Sequence, residues 1–501
     1  MRDFVLLYIN GREHRLRGVE ALQPLSDFLR LGLNQCGTKV VCAEGDCGAC
    51  SVMIGRSEAG RSQLTYVPVN SCIQFVYQLD LAHIVTVEGL KVDAELNEVQ
   101  RAMVDCNGAQ CGYCTPGFVV ALCGAANQLC SASKGGGQAA GANRLSEKQV
   151  KDSLTGNLCR CTGYEAIIKA GMDFDLKKFQ PFSALYEEKP IIAAFNAQAV
   201  EPVLIEADGR KVFLPATIDS AVDFLKKSPD ATIVSGGTDI SVNINKRGLA
   251  PQTIMSLCNL SGLDQINESD AGGRKTVTVG ARVSLSRLER YFEKIVPEFY
   301  KVLWVYGSPQ IRQAGTLAGN IGNGSPIADS LPFLFAVDAS IEVTGSGGSR
   351  VIPMQSFYTG YKKMAMKKGE MITRIIIPLP TSDELLRLYK VTRRQHLDIS
   401  TFTAAIVVKT KSDKITYARV VLGGVGPVVL RLTKVEDFLI GKIDKIETYK
   451  EAGRLARQEI EPLDDVRGSR AFRLQLAENI FQKYYFDVHD IKEKVLTGGH
   501  S

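Results

Sequence analysis

Eight cysteines in two ordered sets constrain this chain more than any other feature. The first set is Cys42-x4-Cys47-x2-Cys50, with Cys72 twenty-two positions further on. In this spacing a tight loop presents three thiolates and a separate segment supplies a fourth, the ligand pattern of a 2Fe–2S cluster. Gly45 and Gly48 lie within and beside the run, where they let the backbone wrap a cluster and turn amides toward its sulfurs. The second set is Cys111-x2-Cys114, followed well downstream by Cys159-x-Cys161. Two close pairs can hold a second 2Fe–2S cluster, one pair to each iron. Two such clusters side by side make an electron wire, and the rest of the chain has to feed or drain it.

Disulfides and zinc are the rival uses of paired cysteines. The N-terminus MRDFVLLYINGREHRLRG has an apolar run of only six residues and no small-residue cleavage site, so no signal peptide is expected. A cytoplasmic location is expected, and there disulfides are uncommon. Zinc ribbons also use close cysteine pairs, but a C-x4-C-x2-C run is far rarer than two plain C-x2-C knuckles. The remaining cysteines, Cys36, Cys106, Cys123, Cys130 and Cys258, read mostly as small buried apolar residues. His14, His83, His396, His489 and His500 are scattered without ligand spacing and read as structural or exposed. A net charge of +6 with no basic stripe argues against a nucleic-acid partner. No apolar run approaches the length of a membrane span.

At 501 residues the chain has room for about three or four domains. FVLLYI, the Asn10-Gly11 turn and the following segment read as a hairpin. Pro24-Leu25-Ser26-Asp27 with FLRLGL reads as a capped helix before the cysteine loop. These signals predict a small β-grasp unit of plant-type 2Fe–2S ferredoxin kind over residues 1–90. Residues 91–171 read as a helical bundle holding the second cluster, with Pro116 at a helix start. Between its cysteine pairs SASKGGGQAAGANR reads as an exposed loop. A linker of mixed character is expected over 172–200, a flavin-binding domain over 201–381 and a C-terminal α/β lobe over 382–490. The fold class expected is therefore α+β and multidomain.

The case for the flavin begins with glycines. ATIVSGGTDISV places Gly236-Gly237 after a short β run, and AGTLAGNIGNGSPIADSLPFLFAV is a second glycine-rich stretch. Glycine loops after strands let backbone amides cradle a phosphate, with hydroxyls such as Ser235, Thr238 and Thr316 as further donors. Neither stretch matches G-x-G-x-x-G, so a Rossmann site is not expected. One-electron clusters commonly need an organic cofactor that turns single electrons into pairs, which a flavin does.

GTKVVCAEGDCGACSV, CGYCTPGFVVAL and GNLCRCTGY, in this order, resemble the iron–sulfur half of the xanthine dehydrogenase family of molybdenum hydroxylases. VSGGTDIS and GTLAGNIGNGSPIADSLP resemble that family's FAD domain, and LYKVTRRQHLDIS and VVLGGVGPVVLR the start of its C-terminal lobe. The family's large molybdenum-cofactor domains have no counterpart in the 501 residues, so the chain resembles the small subunit of a split, bacterial-type enzyme.

The resemblance implies that Cys42, Cys47, Cys50 and Cys72 ligate the cluster nearer the flavin, and Cys111, Cys114, Cys159 and Cys161 the cluster nearer molybdenum. It implies that Gln110 faces the pterin across the subunit boundary. Ile233, Val234, Ser235, Gly236, Gly237, Thr238, Asp239 and Ile240 match the segment that wraps the FAD pyrophosphate. Thr316, Leu317, Ala318, Gly319, Asn320 and Asp329 match the second FAD loop, with Tyr306 beside the isoalloxazine and Ile372 and Lys390 nearby. The implied function is electron transfer during hypoxanthine or xanthine oxidation, from a molybdopterin-bearing large subunit through two 2Fe–2S clusters to FAD and on to NAD. No substrate-hydroxylating residue is then expected here, and the implied assembly is a dimer of small–large pairs. Two departures stand out: a glycine-rich insertion near 134–143, and Gln395-His396-Leu397-Asp398 where eukaryotic members are more acidic. Another molybdenum hydroxylase acting on aldehydes or N-heterocycles, a double-cluster carrier without catalysis, and a zinc-bound scaffold are the alternatives.

Overall fold

The computed structural model describes residues 1–58, 62–133 and 143–489. Nearly all of the insertion near 134–143, and His500, lie outside the described residues.

Strand Val5–Ile9 turns back through Asn10-Gly11, whose φ angles are 49° and 81°, into Arg12–Leu16. Asn and Gly tolerate this left-handed backbone, and such a turn matches the twist of the strands it joins. Val5–Ile9 also pairs in parallel with Ala82–Val85. Ser51–Ser57 lies antiparallel to both Ala82–Val85 and Leu64–Asn70, completing a five-stranded sheet. One face buries Val5, Leu7 and Ile9 with Leu25, Phe28 and Leu29. The helix expected over these last residues is short, Leu25–Asp27, and widens into a π-helical turn at Phe28–Gly32. On the sheet's other face Leu6 and Leu64 pack with Ile191 and Phe195. The stretch expected as a linker therefore contains a docked helix, Glu188–Gln198.

Four helices follow the first sheet: Glu98–Asp105, Thr115–Ser133, Glu147–Leu154 and Glu165–Asp173. Reciprocal capping boxes start two of them, Asn97 with Gln100 and Ser146 with Gln149. Phe118, Leu122, Val150 and Ile167 fill the space between them.

The region expected to bind flavin has two sheets. The smaller runs Val203–Ala207, Arg210–Leu214, Thr253–Ser256, Thr232–Val234, with its last three strands parallel. The larger is antiparallel, in the order Ile266–Ala271, Arg274–Gly280, Met371–Pro378, Ser340–Gly345, Gly348–Pro353. A core of Val277, Phe292, Phe299, Phe333, Ile341 and Ile375 joins the helices to the larger sheet. The C-terminal lobe is an antiparallel sheet, Leu385–Val391, Phe402–Lys411, Lys414–Gly423 and Leu430–Arg431. Helices Thr433–Leu439, Ile446–Glu459 and Arg470–Val488 share its core through Val435, Ala452 and Phe481. Among the described residues no helix is long and apolar enough to cross a membrane.

Candidate cofactor-binding sites

The first cysteine set folds into a loop that ends at strand Ser51–Ser57. Ala43, Gly45 and Gly48 have φ of 55°, 79° and 70°, so the loop curls on itself. A Cβ on Gly45 would fall 2.5 Å from Ile73 Cδ1, which shows how closely backbone and side chain approach there. Cys42 is in sulfur contact with Cys47 and Cys72, and Cys50 with Cys72. Cys50 and Cys72 are buried, whereas Cys42 and Cys47 are partly open. Thiol donation from Cys47 and Cys72 holds Cys42 far below the ordinary thiol range, and its partner Cys72 is pushed up by the same contacts. Asn70 Nδ2 donates to Gly45 O at 2.6 Å and Ser71 Oγ to Cys50 O at 2.7 Å, pinning the loop. Four sulfurs joined by these three contacts, three on a curled loop and Cys72 on the turn Ser71–Ile73, fit a 2Fe–2S cluster, which takes four thiolates.

The second set is assembled from the start of helix Thr115–Ser133 and the turn before helix Glu165–Asp173. Its sulfur contacts run across the two motifs. Cys161 Sγ lies 3.6 Å from Cys111 Sγ, and Cys114 contacts Cys159. Each contact joins one thiol of the first motif to one of the second. Cys111 and Cys161 are exposed, as is the neighbouring Gln110. Burial raises Cys114 to about 12. Burial also acts to raise Cys159, but the Thr162 hydroxyl and backbone amides outweigh it and bring the thiol down. Cys159 N donates to Tyr164 Oη at 3.0 Å, and the preceding amide, Leu158 N, donates to Cys47 O at 3.0 Å. That bond joins the two cysteine loops.

The two glycine stretches come together in space. Ser235 to Asp239 follow strand Thr232–Val234, and Ile240 opens helix Ile240–Arg247. A Cβ on Gly236 would fall 1.9 Å from Ala314 O, and one on Gly315 3.3 Å from Thr238 Oγ1. Thr316 caps helix Leu317–Asn323 by accepting Gly319 N at 3.0 Å. Asn323 Nδ2 donates to Asp239 Oδ1 at 3.3 Å, tying the second stretch to the first. Asn320 Nδ2 donates to Tyr306 Oη at 2.8 Å, and Asn320 Oδ1 accepts from Ser330 Oγ. Lys390 Nζ forms a buried ion pair with Asp329 at 2.8 Å and donates to Val305 O. Burial, with the nearby Asp329 and Asp239 carboxylates, pushes the Tyr306 phenol up. Ile372 is buried and lies beside Gly322 of the same helix. The two glycine loops thus meet, with Tyr306, Asn320, Asp329 and Lys390 linked beside them, whereas Val234, Leu317 and Ala318 are core residues. Gln78 Nε2 is buried without a hydrogen-bond partner and lies 2.1 Å from where a Gly237 Cβ would be. Bare amides and an orphaned donor suit an anionic, phosphate-bearing group such as FAD.

Three family models match stretches of the chain. The 2Fe-2S binding domain family matches residues 86–172, and the family described as FAD binding domain in molybdopterin dehydrogenase matches 207–380. The CO dehydrogenase flavoprotein C-terminal domain family matches 387–488. The chain is similar to the iron–sulfur and FAD part of molybdenum hydroxylases. Xanthine dehydrogenase 1 of Arabidopsis thaliana is 28% identical over 96% of this chain and 39% of the relative. Xanthine dehydrogenase of Emericella nidulans is 26% identical over 97% and 39%, and aldehyde oxidase 4 of Cavia porcellus 25% over 98% and 40%. The chain thus spans about two-fifths of the curated relatives it matches. Quinoline 2-oxidoreductase from Pseudomonas putida 86 superposes with a TM-score of 0.51 at 28% identity, over 55% of this chain and 95% of that one.

Several residues at these candidate sites carry no sequence signal. Gln74 Nε2 donates to Gly236 O at 3.0 Å, bringing the ferredoxin-like domain onto the flavin loop. Asn245 Nδ2 reaches the other way, to Ala43 O at 3.1 Å and Cys72 O at 2.8 Å. Ser400 Oγ donates to Asp329. These are isolated polar residues whose partners are distant in sequence, so neither spacing nor periodicity singles them out.

Proposed function

We propose that this chain is the electron-transfer subunit of a xanthine dehydrogenase, working with a molybdopterin-bearing large subunit and using NAD as acceptor. When bound, two 2Fe–2S clusters exchange single electrons and FAD exchanges pairs, which joins a two-electron oxidation elsewhere to reduction of NAD. The observation that carries this reading is the order of the sites. Cys111 and Cys161 are exposed, the first set is partly buried and bonded to the second through Leu158 and Cys47, and Gln74 and Asn245 join it to the flavin region.

The chain's own residues hold and shield. Cys42, Cys47, Cys50 and Cys72 would ligate the inner cluster and Cys111, Cys114, Cys159 and Cys161 the outer one. Val40, Ile73, Val242 and Ile311 pack around buried Cys50 and Cys72 and exclude water between the inner cluster and the flavin domain. The glycine loops and Thr316 would hold the FAD phosphates, while the Lys390–Asp329 pair fixes the wall near Tyr306. The segment 393–400 leads from that wall, and Asp398 Oδ2 accepts from the amides of Arg393 and Arg394, giving the acceptor side a fixed loop. Gln110 and Cys111, open to solvent, are where a molybdenum-bearing partner would dock.

The test is Cys159→Ala in the chain paired with its large subunit. Substrate-driven NAD reduction should be lost, while NADH-to-dye activity and about half the iron remain. Full iron with both activities intact would remove Cys159 from the outer cluster. Substrate is read by the partner, and likeness to an aldehyde oxidase and a quinoline oxidoreductase favours an aldehyde- or N-heterocycle-oxidising enzyme as second reading. Purine, aldehyde and quinoline assays on the reconstituted pair separate the two.

A further inference from the structure

Both cysteine loops and the flavin domain meet at one side chain, Gln310, which is 1% exposed and sits on helix Pro309–Ala314. Its Nε2 donates to Ser51 Oγ at 3.2 Å and to Asn157 Oδ1 at 2.9 Å. Each acceptor passes a hydrogen bond on to the same carbonyl: Ser51 Oγ to Gly48 O at 2.7 Å and Asn157 Nδ2 to Gly48 O at 3.2 Å. A carbonyl oxygen can only accept, so the direction of every bond in this ring is fixed. Gly48 lies between Cys47 and Cys50, and Asn157 two residues before Cys159. One amide group therefore holds the loop of each cluster.

The backbone around this ring is as close as glycine allows. A Cβ on Gly156 would fall 1.9 Å from Gln310 Oε1, one on Gly48 2.3 Å from Gly156 O, and one on Gly117 2.2 Å from Gly48 O. Gly117 follows Cys114, Gly48 follows Cys47 and Gly156 precedes Cys159. Three ligand-bearing segments thus touch backbone to backbone under the Gln310 amide. From Gln310 the same helix continues toward the flavin. Ile311 packs on Cys50 and Cys72, and Ala314 meets the flavin loop at Gly236.

We propose that Gln310 is a positioning residue through which the flavin domain sets the separation and orientation of the two cluster loops. It rests on the electron-transfer reading above. The two hydrogens of one NH2 group satisfy one acceptor in each loop, so neither loop can shift without breaking a bond to the other's holder. A carboxylate in the same place keeps the shape but can only accept, so Ser51 and Asn157 could bond to it only by giving up Gly48 O.

The experiment uses the full chain loaded with iron, sulfide and FAD, comparing wild type with Gln310→Glu and Gln310→Ala. Reduced samples are read by EPR, by dye-mediated redox titration and by hydrogen exchange. In both variants the EPR spectra and reduction potentials of both clusters should shift together. Amide exchange should rise around 48–51 and 156–159, with the C-terminal sheet unchanged. Gln310→Glu, which keeps the volume, carries the test if the alanine variant does not fold. Cluster spectra and potentials identical to wild type, with only flavin content altered, would overturn the proposal and leave Gln310 an anchor of its own helix. A wild-type chain with no 2Fe–2S signal would instead overturn the electron-transfer reading, and this proposal with it.

Discussion

His83 has no solvent exposure, and its two ring nitrogens face different partners. The Gly11 amide donates to Nε2 at 3.1 Å, so the ring proton of the neutral imidazole sits on Nδ1, 2.7 Å from Tyr66 Oη. The Tyr66 hydroxyl is left to donate to Glu188, on the helix docked against the first sheet. Burial holds His83 down at about 4. The unfolded imidazole titrates near 6.5, so between those values the unfolded state binds the extra proton and stability falls as pH falls. Denaturant midpoints for wild type should drop from pH 7 to pH 4.5, and the loss through His83 approaches about 3 kcal/mol below pH 4. Glu188 is raised by burial and titrates with the opposite sign, so the same series on His83→Gln isolates the imidazole. Equal pH slopes in the two proteins would contradict this account. Sequence alone could class His83 as structural, which it is. It could not show the chain of donors, because Gly11, Tyr66 and Glu188 are spread over three segments. The cysteines are the opposite case, since their spacing is itself the signal.

Among the elements, helix Pro309–Ala314 and the two glycine loops decide whether a flavin can sit where the sequence puts it. Gly236→Ala would drive a methyl group to within 1.9 Å of Ala314 O and force the loops apart. Purified Gly236→Ala should keep its iron and lose most of its FAD, read as the flavin-to-iron ratio. Gly347→Ala, where a Cβ meets nothing within 4 Å, should keep both and serves as control. An unchanged ratio in Gly236→Ala would mean that the loop contact does not shape the cradle. Turn chemistry made these loops visible in the sequence, as it did the Asn10-Gly11 hairpin. What stayed hidden was which loops meet. Gln74 reaches Gly236 across 162 residues and Gln310 reaches Ser51 across 259, and a glutamine in a short helix carries no period or spacing that announces such a partner. The docked helix Glu188–Gln198 was hidden for a related reason: only Ile191 and Phe195 of its apolar residues are fully buried, and its short apolar run has no clear helical stripe.

Across the whole molecule, the domains are stitched by buried polar groups. Asp80 accepts from Arg2 Nη1 and Nη2 at 3.0 and 2.7 Å and from Leu6 N, and Asn259 of the flavin region donates to it as well. Arg2 also pairs with Val203, where the flavin region's first strand begins. A rigid frame of this kind suits a chain whose work is to keep cofactors at fixed separations. The most direct test of that claim is the visible spectrum of the purified chain with iron, zinc and flavin measured per polypeptide. Iron sufficient for two 2Fe–2S clusters with one FAD is the predicted result. Zinc in place of iron, with no flavin, would contradict the account.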